Sequence, residues 1–394
     1  MKFETMKIAD LISEISMGPF GSNIKVECFV EEGIPVLNGS NLEGFVLKED
    51  SFRYVTEEKA DSLGKANAHR GDVVITHRGT LGQIVFIPQD SLHDRYVISQ
   101  SQFRVKCNEK ILPEYLVYYF HTRIGQHKLL SNASQVGVPA LARASTTFQT
   151  IDIEVPDLES QKKIVGLLET IRQKVEINNE INDNLLQQAQ LLYKDRFVDM
   201  TPFDGVMPND WHEGTVSEII ELHDSQRIPL SSRERADLAK IYPYYGATSV
   251  MDYVDRYLFD GIYLLLGEDG TVVDAKGFPI LQYVEGKFWV NNHAHILTGK
   301  NGFSVELLYL LFSMTNVQSI VTGAVQPKIS QANLNKVPVV IPSIAELQAF
   351  DSLIQPIFAQ IRNLRAENDR LAAIRDTLLP KLMSGELDVS DIAI

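Results

Sequence analysis

The stretch Leu158–Phe197, LESQKKIVGLLETIRQKVEINNEINDNLLQQAQLLYKDRF, decides the fold of this chain. It contains no proline, and its apolar residues recur every three or four positions, at Ile164, Leu168, Ile171, Val175, Leu185, Ala189 and Leu192. This spacing predicts one long amphipathic helix with a heptad seam, interrupted at Asn178 and Asn182. A helix of about 60 Å, at about 1.5 Å per residue, is poorly held if it is exposed all round. It therefore needs a partner.

The partner is Ile344–Met383 of the same chain, IAELQAFDSLIQPIFAQIRNLRAENDRLAAIRDTLLPKLM. An offset of 186 residues, taken from Pro156 to Pro342, carries the apolar seam of the first helix onto that of the second. An asparagine recurs in the seam at this offset. Because a buried asparagine costs stability and rejects shifted pairings, we predict that the register of the pair is set by Asn182, Asn368, Leu185 and Leu371.

The globular segments before the two helices repeat one order of elements. GVPALARASTTFQTIDIEVP (137–156) matches GAVQPKISQANLNKVPVVIP (323–342) at the same offset. Strand-rich stretches precede both, with predicted helices at Pro113–His127 and Val305–Thr315. The predicted fold is mixed α/β (α+β) with an internal repeat. Its divisions are globular domains at 1–156 and 199–342, long helices at 157–198 and 343–384, and a short tail at 385–394.

Composition excludes several classes of protein. The 394 residues carry a net charge of −14, with 44% hydrophobic and 22% charged residues, as in an ordinary soluble globular protein. No apolar run reaches membrane-spanning length, a signal-peptide pattern is absent, and the cysteines are Cys28 and Cys107. We expect a cytoplasmic protein with no membrane partner, disulfide framework or zinc cluster. Because acidic chains are unusual nucleic-acid binders, DNA binding would need local Lys and Arg or positive charge from a partner.

No catalytic signature is present: the sequence has no Walker loop, GxGxxG motif, nucleophile elbow or HExxH motif. His293 and His295 stand at strand spacing in NNHAH and would face one side, but further metal ligands at suitable spacing are missing. Buried or hydrogen-bonding histidines are favoured over a metal site. The sequence therefore predicts no catalytic residue, no metal and no cofactor bound by this chain.

The segment HRGT (77–80) lies at a predicted strand–loop–strand junction. Arginine is the favoured reader of guanine and also binds phosphates, although a solvated turn arginine fits the sequence equally well. The matching loop of the second half is GEDGT (267–271), whose carboxylates cannot hold phosphates. They could accept a hydrogen bond from a cytosine amino group, but a turn or packing role is favoured.

Other loop residues suit base edges through polar or aromatic side chains, although asparagine and glycine also make turns. Amide and basic residues recur just before both long helices, which favours a shared role for them. The predicted DNA contacts are Asn38, Ser40, Asn41, His77, Arg78, Thr80, Gln135, Arg143, Tyr244, Tyr245, Thr248, Ser249, Thr271, Asn292, Gln326 and Lys328.

Four stretches carry a family resemblance: GDVVITHRGTLG (71–82), GIYLLLGEDGTV (261–272), KFWVNNHAHIL (287–297) and GAVQPKISQANLNKVPVVIP (323–342). With the tandem architecture, they resemble the specificity subunit of Type I restriction-modification systems over nearly the whole chain. The resemblance implies two target-recognition domains, each reading one half of a bipartite DNA sequence. It also implies that the long helices pack as an antiparallel coiled coil, which sets the spacing of the two domains.

The same resemblance implies the partners. They are double-stranded DNA, two modification subunits that bind S-adenosylmethionine and methylate adenine, and two restriction subunits that can join to translocate and cleave DNA. The specificity subunit itself is then not an enzyme. The alternatives are a scaffold that does not read DNA, a regulatory DNA-binding protein, and a self-contained nucleic-acid-modifying enzyme with an unrecognised site.

Overall fold

The computed structural model describes residues 1–134, 137–323 and 325–390. The chain forms two compact units. The first comprises Met1–Val175 and the C-terminal segment from Asp369, and the second comprises Glu176–Asn368. Each long helix therefore contributes residues to both units. The domain bounds predicted from the sequence, which set each long helix apart, remain a prediction.

The first unit is rich in short strands. They are β1 (Phe3–Lys7), β2 (Ile12–Met17), β3 (Phe29–Val30), β4 (Ile34–Val36), β5 (Arg53–Val55), β6 (Asn67–His69), β7 (Asp72–Thr76), β8 (Ile84–Phe86), β9 (Arg95–Val97), β10 (Gln102–Cys107), β11 (Ala133–Ser134), β12 (Ala140–Leu141) and β13 (Asp152–Pro156). One sheet has the order β2-β10-β7-β8, and a second has the order β3-β5-β4-β9-β6. Two further pairs, β1-β13 and β11-β12, complete the strand pairing of this unit.

The helices of the first unit are α1 (Glu57–Ser62), α2 (Pro113–His121), α3 (Arg123–Leu130), α4 (Ala144–Gln149) and the first half of α5 (Leu158–Tyr193). Ala60 of α1 packs on the five-stranded sheet, and the other helices contribute to the core of the four-stranded sheet. The prediction of one helix over Pro113–His127 was wrong, because Thr122 has an extended backbone and its Oγ1 accepts a hydrogen bond from the Gly125 amide at 2.9 Å. Thr122 therefore ends α2 and caps α3.

The second unit contains a six-stranded sheet. The strands of this unit are β14 (His212–Thr215), β15 (Ile220–Leu222), β16 (Tyr242–Tyr245), β17 (Val250–Val254), β18 (Phe259–Gly267), β19 (Leu281–Val290), β20 (Ala294–Gly299) and β21 (Pro338–Ile341). The sheet has the order β15-β20-β18-β19-β16-β17, and β14 pairs separately with β21. The helices are α6 (Val216–Ile219), α7 (Ser232–Ala236), α8 (Val305–Ser313), α9 (Gln331–Leu334) and α10 (Ile344–Ser384).

The strand pairing repeats between the two units. The order β2-β10-β7-β8 corresponds to β15-β20-β18-β19, and the pair β1-β13 corresponds to β14-β21. In each unit, the strand that leads into a long helix pairs antiparallel with the unit's first strand. The predicted mixed α/β architecture with an internal repeat is confirmed. The units differ in β19, which is one long strand in the place of both β8 and β9.

The two long helices run in opposite directions within each unit. In the first unit, Ile164 of α5 shares a buried core with Leu382 near the end of α10. In the second unit, Tyr193 at the end of α5 packs against Phe350 near the start of α10, with ring centroids 6.0 Å apart. Complete burial of one side chain such as Ile164, Leu382 or Phe350 contributes about 1.5–3 kcal/mol to the free energy of folding. The antiparallel pairing of these helices is therefore fixed by apolar contacts at both ends.

The heptad seam predicted from the sequence drifts at its far end. Leu192 is exposed, and its neighbour Tyr193 is buried instead. The corresponding position in α10 shifts in the same way, since Leu378 is half-buried and Leu379 is buried. An α-helix rotates by about 20° per heptad relative to a 3.5-residue repeat, so a long seam moves by one residue. The placement of Leu192 in the seam was therefore wrong.

A polar layer interrupts the apolar contact between the helices in the second unit. Asn178 is completely buried, and its Nδ2 donates to Glu367 Oε2 and to Asn368 Oδ1, both at 2.8 Å. Asn368 Nδ2 donates to Asn179 Oδ1 at 2.8 Å. Asn182 is half-buried, as are Leu185 and Leu371 beyond it. The role of these residues in helix register remains a prediction.

Replacing Asn182 with Leu is expected to raise the thermal stability of the second unit. The Oδ1 atom of Asn182 is buried and has no hydrogen-bond partner among the described residues. Such an acceptor costs about 1–3 kcal/mol, and an apolar residue removes that cost. Calorimetry of N182L against the wild type measures the effect, with the exposed Gln187→Leu as the control that gains nothing. A lower melting temperature for N182L would show that this oxygen has a partner.

Candidate nucleic-acid interface

In the first unit, the loop after β7 is held between two other chain segments. The His77 amide donates to Ser101 O at 2.8 Å, just before β10 begins. On the other side, the Leu141 amide donates to His77 O at 2.8 Å, and the Gly79 amide donates to Pro139 O at 2.9 Å. The loop is therefore fixed by main-chain hydrogen bonds that do not depend on its side chains.

The second unit repeats these hydrogen bonds almost atom for atom. The Glu268 amide donates to His293 O at 2.9 Å, and the Ile329 amide donates to Glu268 O at 2.9 Å. The Gly270 amide donates to Pro327 O at 3.0 Å. The predicted match between loops 77–80 and 267–271 is therefore confirmed. In this scaffold, the main chain is shared and the side chains differ.

The loop of the first unit presents a basic surface. Arg78, Thr80 and Arg143 are exposed, and Arg143 has a left-handed backbone with φ of 48°. His77 is half-buried, and its Nε2 lies 3.1 Å from Gln100 O. Burial lowers the pKa of His77, so the ring is neutral and Nε2 donates its proton to that carbonyl. His77 therefore positions the loop, while Arg78 and Arg143 are free to face a ligand. Gln135 lies outside the described residues.

The predicted contacts of the second unit gather around the equivalent loop. Thr271, Asn292, Gln326 and Lys328 are all exposed. Lys328 forms an ion pair with Glu268, since its Nζ lies 3.3 Å from Glu268 Oε1. A turn over residues 246–249 is closed by the Gly246 amide, which donates to Ser249 O at 2.9 Å. This turn exposes the remaining polar candidates, Thr248 and Ser249.

A buried charge network lies directly beneath the loop of the second unit. The Nδ1 atom of His295 lies 2.5 Å from Asp224 Oδ2, and His295 Nε2 lies 2.8 Å from Ile329 O. Arg227 Nη1 donates to Glu268 Oε2 at 2.5 Å and to Ala294 O at 2.7 Å. Both ring nitrogens of His295 therefore face oxygen atoms, the Asp224 carboxylate on one side and the Ile329 carbonyl on the other.

The Asp224 carboxylate is the anion that balances this network. Burial alone would raise its pKa, but hydrogen bonds from His295, the Ile296 amide and Gln331 outweigh burial, and its pKa is lowered. Ligand atoms of Asp224, Glu268 and His295 lie within 4.8 Å of one another, which is close enough for a metal site. Arg227 and Lys328 already neutralise these carboxylates. The arrangement therefore favours an ion-pair network over a metal, and His295 is buried and hydrogen-bonded as expected.

The first unit supports its loop with apolar contacts instead. Phe103 pairs with Ile75 in the sheet, in the place where His295 pairs with Leu266. Phe103 is completely buried and packs edge-on against Phe148, with centroids 5.4 Å apart. The two units therefore hold one loop scaffold by different chemistry.

Two of the predicted contacts are packing residues, and this corrects their assignment. Asn41 is completely buried, and its Nδ2 donates to Lys48 O and Asp50 O at 2.9 and 2.7 Å. Tyr244 is 2% exposed, with Arg235 4.7 Å from its ring centroid. Neither side chain can reach a base while these contacts hold. The sequence predicted them as contacts because a turn asparagine and a core tyrosine resemble surface polar residues in the sequence.

The neighbours of these two residues are only partly accessible. Asn38 caps a short 3₁₀ turn, with its Oδ1 accepting from the Ser40 amide at 2.8 Å and from Ser40 Oγ at 2.5 Å. Tyr245 is half-buried against Phe288, with ring centroids 5.8 Å apart. Ser40 is exposed, but its hydroxyl is already used in the turn. These three residues shape loops more than they present free polar groups.

The sequence reasoning missed residues on the rim of the first unit's loop. Phe20 and Lys65 line one cleft of about 600 Å³ together with His77 and Arg78. The stretch GPFG (18–21) holds the available signal, because two glycines and a proline around an aromatic residue indicate a tight, exposed turn. In the second unit, Asp224 and Arg227 were missed because nothing local marks a partner 71 residues away from His295.

Comparison with known proteins decides the family. A family model described as "Type I restriction modification DNA specificity domain" matches residues 2–187 and 208–374. The chain belongs to this Type I DNA specificity family. As a member of a specificity family, it is not itself an enzyme.

Relatives of this specificity protein agree with the assignment. It is 24% identical to the Type I restriction enzyme MjaIX specificity subunit of Methanocaldococcus jannaschii, over 99% of this chain and 94% of that protein. It is 22% identical to the HindI specificity subunit of Haemophilus influenzae, over 81% and 87% of the two chains. The crystal structure of the S subunit from M. genitalium covers 97% of this chain and 96% of its own, with a TM-score of 0.52 and 17% identity. Its likeness shows that the fold is shared.

Among the described residues, no helix has the length and apolarity that a membrane span requires.

Proposed function

We propose that this chain is the sequence-specific DNA-recognition subunit of a Type I restriction-modification complex, and that each unit reads one half of a bipartite target. The observation that carries the proposal is the repeated loop scaffold. Equivalent main-chain hydrogen bonds hold loops 77–80 and 268–271, while the side chains at equivalent positions are Arg78 and Asp269. A shared main chain with different side chains is suited to reading two different sequences.

Direct readout supports different specificities for the two loops. An arginine such as Arg78 can donate two hydrogen bonds to guanine in the major groove. A carboxylate such as Asp269 can accept from the cytosine amino group instead. Lys328 forms a β-bridge with Asp269, and Arg143 lies two residues beyond Leu141, whose amide donates to His77 O. Both cations would hold phosphates and position the base readers. The two units would therefore recognise different half-sites.

The helix pair would set the gap between the two half-sites. Apolar contacts hold α5 against α10 in each unit, and both helices continue from one unit into the other. Rigid helices of this kind fix a distance better than a loop does, because each residue adds a constant rise. The length of the pair would then determine the number of unread base pairs in the target.

The helix pair would also dock the modification subunits. Ile177, Ile181 and Leu191 are exposed on α5, and their spacing puts them on one face at 100° per residue. An apolar stripe on a long helix is suited to a partner protein. We expect two modification subunits, which carry S-adenosylmethionine and methylate adenine, and two restriction subunits that can join. Their positive charge would offset the −14 of this chain near DNA. A cytoplasmic location belongs to the same proposal.

The alternative functions explain fewer of the observations. A scaffold that only holds partners has no need for loops with one main-chain geometry and opposite charges. A regulatory DNA-binding protein would use the same loops, but it has no need for an exposed apolar stripe on α5 that docks modification subunits. A protein that transfers methyl groups without partners would be revealed by incubating the purified chain with labelled S-adenosylmethionine and DNA.

Replacing Arg78 with Ala tests the reading function of the first unit. We expect the complex with modification subunits to lose about 10- to 100-fold in affinity for its target, because one bidentate base contact is worth about 1–3 kcal/mol. The variant should also discriminate less between bases at one position of the first half-site. Equilibrium binding to duplexes with single base-pair changes measures both effects.

Lys110→Ala is the matched control for R78A. Lys110 is an exposed cation of the same unit, beyond the opposite end of β10 from the loop. It should leave affinity and discrimination unchanged. If R78A binds the target and all altered duplexes as the wild type does, the loop of the first unit does not read DNA.

A further inference from the structure

Phe20 is an exposed aromatic residue at the edge of the first unit's loop. Its side chain is 82% exposed, although phenylalanine is a residue that proteins ordinarily bury. Two hollows flank it. One is the cleft of about 600 Å³ that contains Lys65 and Arg78, and the other is a smaller apolar hollow of about 160 Å³ lined by Ile24, Phe29 and Val36. Phe20 therefore stands as a ridge between a basic cleft and an apolar hollow.

The exposure of Phe20 is imposed by the main chain. The Gly18 amide donates to Gln102 O at 2.8 Å, and a Cβ atom at Gly18 would lie 1.9 Å from Ser99 O. The Asn23 amide donates to Phe20 O at 2.8 Å, which closes the turn on the other side. Pro19 further restricts the backbone just before the ring. A ring that is held outward on a fixed turn is pre-organised for contact with a partner.

The charge of the cleft selects the partner. Of the described residues that line it, none is Asp or Glu, whereas Lys65 and Arg78 both contribute to its wall. In a chain with a net charge of −14, this is a local cationic surface. Cationic groups beside a protruding apolar ring are the features of proteins that hold DNA phosphates while a side chain enters the base stack.

We propose that Phe20 is a wedge that enters a base step of the first half-site, while Lys65 and Arg78 hold the flanking phosphates or base edge across the cleft. The inference rests on the proposed DNA-reading function and adds a distortion of the duplex to it. Pyrimidine–purine steps unstack most easily, so the wedge would favour such a step without a hydrogen bond to either base. Phe20 would then contribute to specificity through DNA deformability.

The second unit carries a different side chain at the position equivalent to Phe20. Ile15 pairs with Val105 in the first unit as Leu222 pairs with Leu297 in the second. Five residues further along, the first unit carries Phe20 and the second carries Arg227. Arg227 turns inward to Glu268 and Ala294 O, and so it cannot act as a wedge. The step that Phe20 would unstack therefore belongs to the first half-site.

The test uses the complete complex with its modification subunits and a target duplex carrying 2-aminopurine at successive positions of each half-site. The wild type is expected to raise the 2-aminopurine fluorescence at one step of the first half-site. F20A should lose that signal and about 10- to 100-fold in affinity, the range that removal of an aromatic–base contact produces. F20W should retain both. Leu92→Ala, which removes another exposed apolar side chain of this unit, is the matched control and should change neither.

The outcomes separate this inference from the proposed function. If the wild type does not discriminate the target, the DNA-reading function fails and the wedge fails with it. If the wild type discriminates the target and F20A matches it in both affinity and fluorescence, the wedge alone is overturned. A loss of affinity in F20A with no fluorescence rise in the wild type would overturn insertion, because Phe20 would then contact DNA without unstacking it.

Discussion

Replacing Asp224 with Asn is expected to destabilise the second unit by about 3–5 kcal/mol, the cost of removing one partner from a buried ion pair. Asp224 Oδ2 accepts from Gln331 Nε2 at 2.6 Å and lies 2.5 Å from His295 Nδ1. His295 is completely buried, so its ring would lose the carboxylate that faces Nδ1. The Asn side chain keeps the shape of the site and removes its charge.

The same variant should change the pH dependence of stability. The pKa of Asp224 is lowered in the folded state by its hydrogen bonds, which outweigh the effect of burial. A group with a lowered pKa contributes stability above its unfolded pKa, and this contribution is lost as the pH falls through the folded value. The second unit of the wild type should therefore weaken on acidification below the ordinary aspartate range. D224N should lose this part of the pH dependence and be weaker already at neutral pH.

Hydrogen exchange of the β18 and β20 amides under native conditions measures the free energy of opening within the second unit. The exposed Asp210→Asn is the control, with the same chemical change and an expected effect within about 0.5 kcal/mol. Amides of the first unit, such as those of β7, should exchange as in the wild type for both variants. Equal protection in D224N and D210N would mean that the network does not stabilise the fold.

Lengthening both long helices by one heptad should widen the gap of the DNA target and leave its half-sites unchanged. Seven residues add about 10 Å of helix, which corresponds to about three base pairs at about 3.4 Å each. Insertions after Lys174 in α5 and after Arg370 in α10 keep the two helices matched in length. They also leave the loops at 77–80 and 268–271 untouched.

Two controls accompany the heptad insertion. A heptad in α5 alone should destabilise the pair, since α10 then lacks the matching turns. An insertion of four residues in each helix should disturb the apolar seam, because four residues are out of step with a heptad repeat. The methylated sequence reports the outcome for each variant that assembles. A change in the bases of either half-site after the matched insertion would contradict the role of the helices as a spacer.

Periodic and repeated features could be predicted from the sequence, because they depend on local spacing. The seam from Ile164 to Ile171 is buried, and the match between the two loops recurs in their hydrogen bonds. The seam failed at its far end, at Leu192 and at the corresponding Leu378, where a slow rotation had accumulated over several turns. Helix α2 ended early because one threonine, Thr122, caps the next helix.

Interactions between distant residues could not be predicted in this way. The partner of His295 is Asp224, and no local pattern links the two. Asn41 and Tyr244 are residue types that often contact bases, but their polar atoms form hydrogen bonds to main-chain groups of their own unit. Phe20 was missed for the opposite reason, because an apolar residue ordinarily indicates core and its exposure depends on the path of the main chain.

Genome-wide methylation mapping tests the central claim most directly. Cells that carry this chain with its modification subunit are compared with cells that lack it. The account predicts a split motif of two short half-sites with a fixed, unspecified gap, methylated at adenine on both strands. An assembled complex that adds no such methylation would contradict the claim that the two units read DNA.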